Sequence, residues 1–256
     1  MNKNKEEEEQ LLDDFQLRHI QILTHLMAND AINDEVVEHL RKSELDYFAL
    51  LNKYHLLEQK VNIDEKTNLL KYKKDYLTEI IKTASRIYFG TDSVNYSVSF
   101  IRFDIDDFSL FNNKYGHDTG DRVLVAIADV IRSKSRPTDY AIRFGGEEFD
   151  VILPATSING AISFIEKIYQ LIHETKISEG DKELSVTLSA GISNFTYTFD
   201  GPEEINDGTI EDRFKELQNQ ADDALYEAKS LGKDRYCIYD PERAEAYEKI
   251  REGYSS

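Results

Sequence analysis

Cysteine occurs once in the 256 residues, at Cys237, so no intramolecular disulfide can form and stability must come from packing. A chain of this length buries most of the surface that its unfolded form exposes, enough for a core without covalent staples. No run of 18 apolar residues is present, which excludes a helical membrane span. The start, Met1 to Gln10, is acidic and polar where a secretory signal would be basic and then apolar. A soluble, cytoplasmic protein is the expectation. Basic residues are scarce: 31 Lys+Arg against 49 Asp+Glu leave a formal net charge of -18. Such a surface repels phosphate backbones and anionic lipid, so neither nucleic acid nor membrane is expected as a partner. Small phosphorylated ligands are compatible with it, because a site can be locally basic or hold a metal.

Glycine and proline are missing from Glu6 to Ile63, while the remainder holds all 12 Gly and 4 Pro. Residues 1–63 therefore read as a helical region, broken once near Asn29 to Asn33 by capping and turn residues. After the break, Val36, Leu40, Ser43, Tyr47, Leu50, Tyr54, Leu57 and Val61 alternate spacings of four and three, a coiled-coil seam. Before it, Leu12, Phe15, His19, Ile22 and Leu26 share one helical face. Two arrangements stay open: a helical hairpin packed on its own domain, or a coiled coil joining two chains as a dimerisation and signalling region. His19, His25, His39 and His55 show no metal-ligand spacing.

From Asp64 the pattern alternates between strands and helices, which marks a second domain over 64–240. A helix over about 73–89 precedes the buried strand Ser97 to Asp104, and a helix follows at Thr119 to Ser133. Tyr140 to Phe144 and Phe149 to Leu153 flank Gly145-Gly146 as a hairpin. A helix over about 158–177, a strand Leu184 to Ser193, a helix over about 211–231 and a strand Arg235 to Tyr239 complete the domain. Residues 241–256 read as a charged, partly helical tail. Two crossovers around an antiparallel hairpin predict an α/β (α+β) fold, a ferredoxin-like sheet with helices on one face.

Carboxylates gather at strand ends. Asp104, Asp106 and Asp107 close the first long strand, and Glu147 and Glu148 occupy the hairpin turn. If the two strands are neighbours, Asp104 and Glu147 meet at one edge and offer oxygen to a hard cation such as Mg²⁺. Gly145 and Gly146 suggest that a phosphate or a base approaches the backbone there. The turn Asp106 to Phe111 presents N–H groups to an anion, and Lys229 and Lys233 bracket the glycine that ends the last long helix.

Arg143-Phe144-Gly145-Gly146-Glu147-Glu148-Phe149 resembles the signature of the GGDEF family, the diguanylate cyclases, in its GGEEF form. The likeness extends through Phe103 to Phe108, Asn112, Tyr115 to Asp121 and Ala221 to Lys229, and covers about residues 64–240. It implies a cyclase-palm sheet with packed helices that joins two GTP into cyclic di-GMP, releasing two pyrophosphates, as a homodimer. It further implies that Asp104, Glu147 and the Ile105 carbonyl hold Mg²⁺, with Mn²⁺ as the alternative, and that Glu148 is required for turnover. By the same resemblance Asn112 and Asp121 read guanine, Lys229 and Lys233 hold the β- and γ-phosphates, and Phe108, Gly145 and Gly146 border the substrate. Arg136 and Asp139, with five residues between Asp139 and Gly145, match an Arg-x-x-Asp inhibitory site for cyclic di-GMP, to which Lys167 supplies the second cation.

Two departures from the family pattern are visible. Ser109 stands where members commonly have Lys. The leading motif Asp-x-Leu-Thr-Gly-Leu-x-Asn-Arg appears as Asp64 to Tyr72 without its Asn and Arg, which predicts altered coupling to the upstream helices. The rival to an active enzyme is a signalling module that binds GTP or cyclic di-GMP without turnover.

Overall fold

The computed structural model describes residues 42, 62–88, 94–199 and 207–254. The helical hairpin or coiled coil expected over 1–63 lies outside them almost entirely, as does the loop at Gly201-Pro202. All described residues but Lys42 belong to one compact unit, Val61–Ser256.

The elements run β1 (Leu70–Lys71), α1 (Tyr76–Tyr88), β2 (Val94–Ile105), α2 (Phe108–Tyr115), α3 (His117–Lys134), β3 (Tyr140–Arg143), β4 (Glu148–Leu153), α4 (Ile158–Glu174), β5 (Ile177–Glu179), β6 (Lys182–Leu184), β7 (Leu188–Phe199), α5 (Asp207–Ser230) and β8 (Arg235–Ile238). A single 3₁₀ turn, Pro241–Arg243, then leads into α6 (Ala244–Tyr254). Six strands form one sheet in the order β1-β3-β4-β2-β7-β8, with β5 and β6 as a separate hairpin. The hairpin partners β3 and β4 pair antiparallel, β4 pairs antiparallel with β2, and β2 lies antiparallel to β7 over its full length.

Helices cover both faces of the sheet rather than the one expected. Odd-numbered β2 residues, Ile101, Phe103 and Ile105, pack with Val123, Ile127 and Ile131 of α3 and Ile165 and Ile168 of α4. Even-numbered Val98 and Phe100 pack with Leu77 and Ile81 of α1 and Phe214 and Leu217 of α5. Strands buried on both faces read as continuous apolar runs, because neither parity is free to be polar. Each fully buried Phe or Ile here contributes about 1.5–3 kcal/mol.

Three further differences concern boundaries. The helix expected to 177 ends at Glu174, and the strand expected from Leu184 begins at Leu188 and continues to Phe199. Between them stands the β5–β6 hairpin, turned at Gly180 with φ 59°. The tail helix α6 packs on α5: Tyr247 is buried, Arg243 pairs with Glu227 and Arg251 with Asp223. At Gly191 of β7 the sheet and α5 touch backbone to backbone, since a Cβ there would lie 1.9 Å from the Ala221 carbonyl oxygen. No helix among the described residues is long and apolar enough to cross a membrane.

Candidate functional site

The ends of β2 and β4 bring the acidic residues together. Asp104 and Glu148 are directly opposed in the antiparallel register, and the Ile105 N–H donates to the Glu147 carbonyl at 3.3 Å. Glu147 thus lies beside the end of β2. The turn between β3 and β4 is closed by Phe144 and Gly145 N–H groups donating to the Glu148 carbonyl at 3.0 and 3.3 Å. Arg143 ties it from outside, donating to the carbonyls of Gly145 and Gly146 at 3.3 and 3.1 Å and to Asp64 Oδ1 at 3.0 Å. A Cβ on Gly145 would sit 2.7 Å from Glu148 Oε2, whereas Gly146 faces open space. Neither glycine needs a positive φ. The first makes room for Glu148, and the second leaves the turn accessible to a ligand.

A cleft of about 260 Å³ opens over these strand ends, lined among others by Asp104, Ile105, Phe108, Ser109, Glu147 and Lys233. Lys229, from the last turn of α5, also lines it and places Nζ 2.8 Å from Asp104 Oδ1; Lys233 reaches Asp107 Oδ1 at 2.6 Å. The α5 helix ends at Ser230, and beyond it Gly232 has φ 110° and Lys233 and Asp234 have φ 63° and 49°. Two consecutive non-glycine residues in the left-handed region cost about 1–3 kcal/mol each. Their anchors are the Asp234 N–H on Asp106 Oδ2 at 3.0 Å and the Lys233–Asp107 pair.

Burial raises the Asp104 carboxyl above its ordinary range against the opposing pull of Lys229, with Asp106 adding to the rise. Glu147 is raised by burial and by Asp104; Glu148 is raised by burial, offset in part by Arg102. Three carboxyls made reluctant to ionise at one edge favour a cation between them. Asp106 differs from these. It accepts from Ser189 Oγ at 2.6 Å, Thr187 Oγ1 at 2.7 Å and the Asp234 N–H, so it braces three segments.

The residues expected to read guanine lie where α2 meets α3. Gly116, φ 85°, turns the chain between the helices and lets Gly120 pack on Asn112. A Cβ on Gly120 would fall 1.8 Å from Asn112 Oδ1, an atom shielded from solvent with no hydrogen-bond donor. Asp121 follows directly, and its carboxylate holds the Lys66 ammonium. The structure therefore puts Asn112 and Asp121 together, but Asp121 already has a cationic partner. The segment Asp106 to Phe111 contains only a two-residue turn before α2 begins, with Asp107 at φ 55° as its N-cap. Arg136 and Asp139 form a turn ahead of β3: the Arg136 N–H donates to Asp139 Oδ2 at 2.7 Å, while Asp139 Oδ1 is buried without a partner. The Lys167 side chain is exposed on α4.

One layer of charge escaped the sequence reading. Arg102 and Asp150 are opposed across β2 and β4, one pair inward from Asp104 and Glu148 on the same face. Arg102 is 4% exposed; it forks onto Asp150 at 2.7 and 2.8 Å and reaches Asp222 of α5 at 2.8 Å. Its guanidinium lies 3.9 Å from the Phe144 ring centroid, beneath the glycine turn. A charge in the middle of each of two otherwise apolar strands, at the parity of the site carboxylates, is the signal that could have found it.

Among the described residues no three acidic, imidazole or thiol groups converge into a ready-made metal cage. The two carboxylates of Asp104 and Glu147 still suit Mg²⁺, a hard cation that keeps several waters and needs only one or two protein carboxylates. Lys229 resting on Asp104 shows that positive charge is accommodated at that position.

Residues 61–235 match the family described as diguanylate cyclase, GGDEF domain. Diguanylate cyclase A of Treponema denticola is 36% identical over 142 residues, 56% of this chain and 35% of that protein. Diguanylate cyclase DgcP of Pseudomonas aeruginosa is 39% identical over 132 residues, 52% of this chain and 18% of that protein. The chain thus spans about a third or less of the length of these two relatives. The crystal structure of the GGDEF domain of DgcB from Caulobacter crescentus in complex with c-di-GMP superimposes with a TM-score of 0.56 at 26% identity, covering 70% of this chain and 95% of that one.

Proposed function

Since the chain belongs to the GGDEF-domain family of diguanylate cyclases, we propose that it joins two molecules of GTP into cyclic di-GMP and releases two pyrophosphates. The observation that carries this reading is the meeting of Asp104, Glu147, Lys229 and Lys233 at one cleft. Asp121 accepts from the guanine N1–H and N2 amine, and the donor-less Asn112 Oδ1 accepts beside it. Lys229 and Lys233 exchange their carboxylates for the β- and γ-phosphates, while Phe108, Gly145 and Gly146 bound the space around them. Asp104, Glu147 and the Ile105 carbonyl would hold Mg²⁺ or Mn²⁺, which would neutralise triphosphate charge and lower the pKa of the ribose 3'-hydroxyl. In each half-reaction the 3'-oxygen of one GTP bonds to the α-phosphorus of the other as the bond to pyrophosphate breaks. Glu148, raised by burial, is the group assigned in this reading to take the hydroxyl proton.

One chain holds one GTP, so two chains must face each other, and residues 5–62, whose sequence reads as a coiled-coil region, are the proposed source of that cytoplasmic homodimer. Product binds at Arg136, Asp139 and Lys167, where the partnerless Asp139 Oδ1 accepts from a guanine donor and Arg136 pairs with phosphate. The test is incubation with GTP and Mg²⁺ at several protein concentrations, followed by chromatography, with ATP as competitor. Cyclic di-GMP should form, more steeply than in proportion to protein, and Leu57→Asp should depress it most at low concentration. Arg136→Ala should relieve inhibition by added product. No cyclic dinucleotide at any concentration would reject the enzyme in favour of a nucleotide-binding module.

A further inference from the structure

Lys66 stands in the short turn that leads into β1, and Asp64 and Thr67 on either side of it are fixed to the domain. Asp64 Oδ1 accepts from the Thr67 N–H at 2.9 Å, the Thr67 hydroxyl at 2.7 Å and Arg143 at 3.0 Å. The Thr67 carbonyl accepts from Arg132 of α3 at 3.3 Å. Lys66 therefore projects from a braced base, and its ammonium meets Asp121. Stability gives little reason for the pair, since both side chains are about half exposed and such pairs contribute little.

The chemistry of the surroundings gives a better one. Asp121 and Asn112 Oδ1, gathered at Gly120, offer acceptors, and Lys66 sets a donor directly beside the Asp121 acceptor. Guanine carries the complementary order on one edge: the N2 amine and N1–H donate, and O6 next to them accepts, with N7 beyond. Adenine has an amine at position 6 and no N1–H, so it presents a donor to the ammonium and an acceptor to the carboxylate.

We propose that Lys66 is a specificity residue of the nucleotide site, donating to guanine O6 while Asp121 accepts from N1–H and the N2 amine. This rests on the reading of Asn112 and Asp121 as the guanine subsite. It assigns to the chain's leading turn a substrate contact rather than a linking role alone.

Calorimetric titration of the full chain with 3'-deoxynucleoside triphosphates, which lack the attacking hydroxyl, separates the readouts. Three bases are compared: guanine; hypoxanthine, which keeps O6 and N1–H and loses the N2 amine; and 2,6-diaminopurine, which keeps the N2 amine, loses N1–H and replaces O6 by a donor. Lys66→Met should weaken the guanine nucleotide about tenfold, the range of one charge-assisted hydrogen bond. It should leave the guanine-to-hypoxanthine ratio unchanged and shrink the guanine-to-diaminopurine ratio by a similar factor. Lys66→Arg should restore most of both losses. Equal or tighter guanine binding by Lys66→Met would show that Lys66 only occupies Asp121, and would overturn the assignment. An unchanged guanine-to-diaminopurine ratio would do the same. Absence of guanine-nucleotide binding by the unmodified chain would remove the guanine subsite itself, and this assignment with it.

Discussion

Replacing Arg102 by Met withdraws the guanidinium that balances Asp150, a carboxylate with no solvent exposure, and leaves a comparable unbranched side chain in its place. Breaking a buried pair from one side costs about 3–5 kcal/mol. For a domain near 200 residues that corresponds to a fall in Tm of about 6–20 °C. Burial already pushes Asp150 up to about 6, and without Arg102 it rises further. A carboxyl whose folded pKa exceeds its unfolded value binds more protons when folded, so stability falls as pH rises through that window. The loss should therefore be largest at pH 8 and smallest at pH 5, where Asp150 is protonated in the variant. Removing both charges with Arg102→Met and Asp150→Leu should recover most of the stability, since Asp222 is partly exposed and can be solvated. Urea denaturation of the two single variants and the double variant at both pH values measures the coupling. A loss under about 1 kcal/mol for Arg102→Met at pH 8 would refute the argument. So would a double variant no more stable than the single ones.

Gly120→Ala should leave Tm unchanged or slightly raised, because alanine favours helix, yet diminish the GTP-induced rise in Tm as Asn112 is displaced. Millimolar Mg²⁺ should raise Tm more at pH 8 than at pH 5. Asp104 and Glu147 have raised folded pKa values, so protons occupy them in acid and the metal-free fold is least favoured when both are ionised. Asp104→Asn should flatten that response in the same thermal scans. Gly191→Ala should cost more than about 3 kcal/mol, read from the urea midpoint, since its Cβ meets α5 backbone 1.9 and 2.5 Å away.

The β3–β4 hairpin was legible because Gly145-Gly146 separates two apolar runs, and the long strand β2 because its core is aromatic and β-branched. The second helical layer was not, because Phe100 and Phe103 look alike in sequence and only the contacts assign them to opposite faces. Helix α2 read as a turn, since Phe108 alone of its eight residues is buried and no apolar stripe announces it. The outer half of β7 was missed because Asn194, Thr196 and Thr198 resemble a loop until Ser97 and Asn95 of β2 are seen hydrogen-bonding across from two of them. At the site, motif residues were readable one by one. Their partners were not: Lys66 on Asp121, Arg102 on Asp150 and Asp234 on Asp106 join segments far apart in the chain. Family likeness names positions that do chemistry, whereas ion pairs depend on which side chains the topology happens to face together.

The separation between those partners has a kinetic consequence. Lys233 and Asp107 close a span of 126 residues, and Arg102 and Asp222 one of 120. Loop-closure entropy must be met before such contacts return anything, so non-local pairings form late in folding. The cleft draws on the end of β2, the β3–β4 turn and the end of α5, so the shortest contiguous fragment that contains all three runs from Asp104 to Lys233. A partly folded chain can have native helices and hairpin and still own no nucleotide site. During refolding, nucleotide binding should lag behind secondary structure, and in a cell a nascent chain stays chemically silent until the segment ending in Lys233 has left the ribosome.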